Sequence, residues 1–230
     1  MTTLYLVRHG ETDNNKSGSF NGCGSNQSLN ETGKQQAACL AAPFAEIAPD
    51  VLYASPLARA TETARALCGE LSLDITLADA LREMDMGDFE GVPFAEAEKV
   101  RPGLLHDWFH HPDRVFMPNG ERFEEVRDRA VAVLAEIVQK NRGKRVAVVS
   151  HGALLQLAVS AFLGLPLVKR KQIPHLHNTG YYVLEIEDNG EFVLAKANCC
   201  DHLPKALQMA EPWTGMDFCG DKHYYPPFAE

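Results

Sequence analysis

Long apolar runs are missing from this chain. Its first nine residues carry no basic leader and only a four-residue apolar run at 4–7, too short for a signal-peptide core or a membrane span. The expectation is a cytoplasmic protein with no membrane partner. Basic residues are also scarce: 22 Lys and Arg stand against 31 Asp and Glu, a formal net charge of −9. Proteins that grip nucleic-acid backbones need a basic stripe to release counterions, so no nucleic-acid partner is expected, and any anionic ligand must meet a local basic pocket. The six cysteines (Cys23, Cys39, Cys68, Cys199, Cys200 and Cys219) show no CxxC spacing, and two fall inside expected helices. That argues against a disulfide framework or a zinc site. Internal repeats of solenoid length are absent too.

What is present is the balance of a globular protein, 45% hydrophobic and 23% charged over 230 residues, enough for one α/β domain with a sizeable core. Residues 4–7 have strand length, and the polar, glycine-punctuated stretch 12–27 reads as a long functional or disordered loop. Asn30 is placed to cap a helix whose apolar face is Ala37, Leu40, Phe44 and Ile47, ending before Pro49. A strand is expected at 51–54. Ser55 and Pro56 then read as the cap and first turn of a helix on which Leu57, Ala60, Ala64, Leu67 and Leu71 recur at spacings of three and four.

Residues 73–77 alternate like a strand, and 79–114 are acidic, aromatic and weakly periodic, which predicts short helices laid over one end of the sheet as a pocket lid. Phe123, Val126, Ala130, Val133 and Ile137 mark an amphipathic helix closed by Gly143, ahead of a buried strand at 146–149 and a helix at 153–163. Residues 181–186 and 192–197, joined by Asp188-Asn189-Gly190, read as a hairpin. The fold class is therefore α/β, with a mostly parallel central sheet, helices on both faces and a terminal β-hairpin. The domain expected is a single catalytic unit over 1–197, with a pocket-covering insertion at about 79–120 and an extension of unassigned role at 198–230. In such sheets ligands bind outside the carboxyl ends of the strands.

Three of those ends carry chemistry. The first strand runs into Arg8-His9-Gly10-Glu11, the second into Ser55-Pro56-Leu57-Ala58-Arg59, and the later buried strand into Ser150-His151-Gly152. Glycine after each histidine lets the backbone turn and approach a ligand closely. Arg59 lies in a helix's first turn, where unpaired N–H groups already favour an anion. Arginine offers a planar fork to phosphate oxygens, and histidine serves as nucleophile or donor near neutral pH. Phosphoryl transfer demands mainly positioning and stabilisation of oxygen charge, which two arginines and a second histidine supply without a metal. The bland alternative, core histidines that merely satisfy hydrogen bonds, fits one isolated histidine better than two at His-Gly strand ends beside Arg8.

At these residues the chain resembles the histidine phosphatase superfamily, the group that includes cofactor-dependent phosphoglycerate mutases. The resemblance spans roughly residues 3–187 and rests on an ordered set: Val7-Arg8-His9-Gly10-Glu11-Thr12, Asn15, Ser55-Pro56-Leu57-Ala58-Arg59-Ala60, the stretch from Glu83 to Gly91, Gly120-Glu121 and Ser150-His151-Gly152. It implies a phosphoglycerate mutase-like fold, with His9 as the nucleophile that becomes phosphohistidine. Arg8, Arg59 and His151 would grip the phosphoryl oxygens, with Gly152 and Asn15 also at the substrate. Glu83 matches the acid that protonates the leaving oxygen and later activates water. The residues by themselves do not choose it over Asp85, Asp88 or Glu90, each of which also reads as a surface carboxylate. No cofactor and no metal are implied.

Departures from the mutases bear on substrate. Where mutases carry an arginine shortly after the Asn15 position, this chain has Ser19-Phe20-Asn21, and only 28 residues separate Gly91 from Gly120, shorter than the mutase insertion. Both favour a phosphomonoester hydrolase acting on small phosphorylated metabolites over a cofactor-dependent mutase. A third reading is a catalytically silent module that binds phosphorylated ligands or a protein on the same fold. Weaker signals are read blandly. His106, His110 and His111 are taken as exposed loop histidines in preference to a metal patch, and Lys169-Arg170-Lys171 as a solvated loop in preference to an anion-attracting field. Trp108, Phe109 and Phe116 form either a substrate wall or the insertion's own small core. The oligomeric state is left open, and Trp213 and Tyr224-Tyr225-Pro226-Pro227 match no pattern.

Overall fold

The computed structural model describes residues 1–69 and 71–208; Cys219, Trp213 and the Tyr-Tyr-Pro-Pro run lie outside them. One six-stranded sheet is built from β1 (Thr2–Arg8), β2 (Val51–Ala54), β3 (Ile75–Leu77), β4 (Arg145–Ser150), β5 (Tyr181–Ile186) and β6 (Phe192–Cys199), in the spatial order β3-β2-β4-β1-β5-β6. The first four strands of that order run parallel, and β5 and β6 add an antiparallel edge. The hairpin at that edge and the parallel centre are as the alternation of patterns predicts.

Side chains alternate between two buried faces, as a strand's period of two requires. Leu4, Leu6, Val146 and Val148 join one core cluster, with α7 (Phe123–Lys140) and α8 (Gly152–Phe162) over them. Val7, Ala147 and Val149 join the other, beneath α3 (Ala41–Ile47) and α4 (Ala58–Cys68). On α7 the buried row is Phe123, Val126, Ala130, Leu134 and Ile137. Leu134 takes the place expected for Val133, which is only partly buried, because the 3.6-residue turn rotates the stripe onto the four-residue step after Ala130.

Three other expectations are adjusted. Residues 12–27 are a loop, as one alternative had it, but one that opens with an unexpected short helix: Thr12 caps α1 (Asp13–Ser17), accepting from the Asn15 N–H while Asn15 reaches back in a capping box. Asn30 does cap α2 (Glu31–Ala38), but the single helix expected through residue 47 breaks at Cys39–Leu40 and resumes as α3. Two short helices let Leu40 and Phe44 both reach zero exposure. Ser55 and Pro56 precede α4 rather than start it, since Leu57 holds the extended N-cap conformation, and Leu71 falls beyond that helix's end at Cys68.

The insertion is a series of short pieces: 3-10 turns at Asp79–Leu81, Gly87–Phe89 and Pro112–Arg114, with α5 (Phe94–Val100) and α6 (Leu104–His110) between them. It has no separate core. Leu81, Met84, Phe89, Phe94 and Met117 are continuous with the cluster under α7 and α8, and Trp108 packs edgewise on Phe123 and tilted on Phe20 at 4.7 and 5.4 Å between centroids.

Candidate active site

Strand register brings the three chemical ends to one level. Arg8 pairs with Ser150 and Ala54 with Val149, and the His9 N–H donates to the Ser150 carbonyl while the Ser55 N–H donates to that of Val149. The chain then turns at Gly10, where a Cβ would lie 2.6 Å from the Gly33 carbonyl oxygen. Only glycine permits that approach. His9 and His151 meet with ring centroids 5.1 Å apart, and both are buried, as are Arg8, Arg59 and Glu83.

The hydrogen bonds of His9 define its tautomer. Nδ1 lies 2.7 Å from the Gly10 carbonyl, which only accepts, so Nδ1 carries the proton. Nε2 is then the lone-pair nitrogen, and Arg59 Nε donates to it at 3.2 Å. Burial, then Arg59 and Arg8, hold the imidazole well below the usual histidine range. His9 is thus neutral at neutral pH, with an unprotonated nitrogen in the site.

Arg59 is aimed by backbone oxygens: Nη1 donates to Ser25 at 2.8 Å, and Nη2 to Gly22 at 2.9 Å and Asn21 at 3.4 Å. Those carbonyls belong to the loop after α1, whose turn is pinned by Glu90, whose carboxylate accepts from the N–H groups of Gly22, Gly24 and Met86. Arg8 Nη1 donates to the Leu176 carbonyl at 2.6 Å and meets His175 Nε2 at 3.1 Å. Its Nε is buried without a hydrogen-bond partner among the described residues. Burial pushes both guanidinium groups down to about 10, which leaves them cationic at neutral pH. Gly152 opens α8 directly beside this group, since a Cβ there would sit 3.1 Å from His175 and 3.4 Å from Arg8 Nε.

Glu83 lies across the site at the start of α8. Its carboxylate accepts from the N–H groups of Met84, Ala153 and Leu154 at 2.9, 3.1 and 3.2 Å, capping a helix whose N-cap residue, His151, makes no side-chain cap bond. Burial raises its pKa, and those N–H groups and Arg59 oppose the rise without cancelling it. Asp85 and Glu90 are occupied elsewhere, Asp85 on the Gly87 N–H and Glu90 on the loop. Asn15 joins through its Oδ1, which accepts from Thr12 and, at 3.4 Å, from Asn178.

Residues the sequence reading did not single out complete the shell. Asn178 donates to the His9 carbonyl at 3.0 Å, His175 faces Arg8, and Thr63 Oγ1 accepts from the Gly10 N–H at 3.0 Å. Thr63 lies one helical turn beyond Arg59, a spacing that was available as a signal. Asn178 and His175 sit in an aperiodic stretch that offered none. Two bland readings are corrected. Arg170 is buried, bonded to Gln156 Oε1 and the Trp108 carbonyl and set 4.7 Å over the Phe123 ring, because it ties α6 to α8; only its neighbours Lys169 and Lys171 are exposed. His106 and His110 lie half-buried on α6 with stacked rings 4.8 Å apart, not in a loop.

A neutral histidine backed by two guanidinium groups, a second histidine and a carboxyl at a helix start is the equipment of phosphoryl transfer through a histidine. The family model described as the histidine phosphatase superfamily (branch 1) matches residues 4–199. The chain belongs to that superfamily and is an enzyme of the histidine phosphatase type. It is 31% identical over 203 residues to phosphoserine phosphatase 1 of Hydrogenobacter thermophilus, covering 88% of this chain and 95% of that protein. It is 33% identical over 173 residues to the Probable phosphoglycerate mutase GpmB of an Enterobacter species, covering 75% and 80%. A phosphoserine phosphatase mutant from Entamoeba histolytica, solved in complex with phosphoserine, superposes with a TM-score of 0.78 at 28% identity, covering 89% of this chain and all of that one. Among the described residues no helix is long and apolar enough to cross a membrane.

Proposed function

We propose that this enzyme hydrolyses small phosphomonoesters, phosphoserine foremost among the candidates, in two steps through phosphohistidine on His9. The observation that carries the reading is the His9 tautomer: Nδ1–H held by the Gly10 carbonyl, Nε2 facing Arg59. In the first step the Nε2 lone pair forms the N–P bond as the P–O bond to the alcohol breaks, and Glu83 gives its proton to the departing oxygen. The imidazole then carries positive charge, which the Gly10 carbonyl stabilises at Nδ1. Arg8, Arg59, His151 and Asn15 balance charge on the phosphoryl oxygens. In the second step Glu83, now ionised, takes a proton from water as the water oxygen attacks phosphorus. The N–P bond breaks, phosphate leaves and His9 is neutral again.

Phosphoserine is favoured because a phosphoserine phosphatase aligns over most of both chains and another superposes with that ligand bound. The GpmB likeness favours a second reading, in which the phosphoryl group returns to a phosphoglycerate. The test is phosphate release from phosphoserine, sugar phosphates, phosphoglycerates, nucleotides and an aryl phosphate in EDTA, with His9→Ala alongside and 2-phosphoglycerate monitored. Release that vanishes in the variant supports the hydrolase. Conversion of 3- to 2-phosphoglycerate with little release makes the enzyme a mutase, and full turnover by His9→Ala rejects the nucleophile.

A further inference from the structure

Two histidines share this site, and their hydrogen bonds make them opposites. His9 turns a lone pair toward its neighbours. His151 is decided by Ser55, a residue at the end of β2 that is fully buried. The Ser55 hydroxyl has two partners, the Leu57 N–H at 3.3 Å and His151 Nε2 at 2.8 Å. A backbone N–H can only donate, so Leu57 uses one lone pair of the oxygen. The hydroxyl proton still needs an acceptor, and among the described residues the acceptor within reach is His151 Nε2. Were Nε2 itself protonated, the serine proton would be stranded in the interior, at the cost of an unmade hydrogen bond.

We propose that Ser55 is a positioning residue whose hydroxyl donates to His151 Nε2, holding that imidazole in the Nδ1–H tautomer and reserving the Nδ1–H for a phosphoryl oxygen on or near His9. Nδ1 is buried and has no hydrogen-bond partner among the described residues, as suits a donor that serves a ligand. Burial and Arg59 keep His151 well below the usual histidine range, so the ring holds a single proton and its placement matters. With that proton on Nε2, the Nδ1 lone pair would repel the same oxygen. The proposal rests on the phosphoryl-transfer reading for its consequence in catalysis, whereas the tautomer itself is a property of the free enzyme.

The experiment separates the two. Long-range ¹H–¹⁵N correlation spectra of the imidazoles, recorded on the full chain without substrate and assigned by loss of signals in His151→Gln, report which ring nitrogen of His151 is protonated. The expected result is Nδ1–H in the unaltered enzyme and in Ser55→Thr, which keeps the hydroxyl, and a shift toward Nε2–H in Ser55→Ala. In rapid-quench assays Ser55→Ala should form phosphoenzyme about 100-fold more slowly, the order of loss seen when one oxyanion donor is removed, with Ser55→Thr recovering most of the rate. Nε2–H in the unaltered enzyme, or an unchanged tautomer in Ser55→Ala, overturns the proposal. Should Ser55→Ala fail to fold, the unaltered enzyme and Ser55→Thr still decide it, and failure of the nucleophile assignment shows separately in His9→Ala.

Discussion

At the scale of single residues, His9 and Glu83 are shifted in opposite directions, and the signs set a pH profile. In the proposed mechanism His9 must be neutral to attack, and that form is lost as pH falls through its lowered pKa. Glu83 must be protonated to serve the leaving group, and that form is lost as pH rises through its raised pKa. Phosphoenzyme formation should therefore be bell-shaped, with the acid limb displaced below about 6.5, the ordinary histidine value, and the alkaline limb displaced above the ordinary carboxylate range. Rapid quench across pH tests this: Glu83→Gln should abolish the alkaline limb on an aryl phosphate and cost far more rate on phosphoserine, whose alkoxide leaves poorly. Stability has its own sign. His9, His151 and His175 all stay neutral in the fold well below pH 6.5, while the unfolded chain takes up protons there. Their contribution is present above about pH 6.5 and is lost as pH falls toward their folded values. Glu83, raised, works the other way and loses its contribution as pH rises. Three groups outweigh one, so Tm should fall between pH 7 and pH 5, less steeply in His175→Gln than in the parent. The strand-end histidines stood out in the sequence because two His-Gly steps follow apolar runs and Arg8 stands beside one of them. Glu83 was legible only by resemblance, since what distinguishes it from Asp85 and Glu90 is a contact with N–H groups 70 and 71 residues away.

At the scale of elements, the orientation of Arg59 is set by loop carbonyls and by what holds that loop. Glu90 holds Gly22, Gly24 and Met86, and the loop it pins supplies the three carbonyls that orient Arg59. Bonds to a charged group are worth about 1.5–3 kcal/mol each, so Glu90→Gln should lower kcat/KM by about tenfold or more through loss of Arg59 geometry. Steady-state kinetics with a parallel thermal melt checks this: rate loss without a comparable fall in Tm is the expected pattern. Elements read from an apolar pattern came through where burial is sustained along the element, on both faces of β4 and along one stripe of α7. They failed where tertiary packing intervened. The helix expected over residues 31–47 breaks so that Leu40 and Phe44 reach the core, and Ser55 looks like a cap in sequence because serine caps helices, whereas its hydroxyl is shared between the Leu57 N–H ahead of α4 and His151. Arg170 sits between two lysines and has no sequence mark of the Trp108 carbonyl and Phe123 ring that bury it.

At the scale of the whole molecule, we propose that residues 1–197 form the catalytic domain and that the next few residues fasten to it. Leu203 is 3% exposed, and Gln36 on α2 donates to the Leu207 carbonyl at 2.9 Å. A chain ended after Cys199 should be less stable than one ended after Gln208 by about 2–4 kcal/mol, the burial of a leucine plus a hydrogen bond; denaturant titration of both checks it. The net charge of −9 coexists with two buried guanidinium groups, Arg8 and Arg59, carried inside where surface carboxylates screen them little. The sheet order has one more effect. β1 is hydrogen-bonded along both edges, to β4 and β5, and the amides of Arg8 and His9 are tied to Gly180 and Ser150. Deuterium from solvent should reach those two amides only when the entire domain opens, whereas the 21–25 loop exchanges through small local openings. Heating should thus act at two depths, a local opening of the 21–25 loop that frees Arg59 and a global opening that exposes the Arg8 and His9 amides.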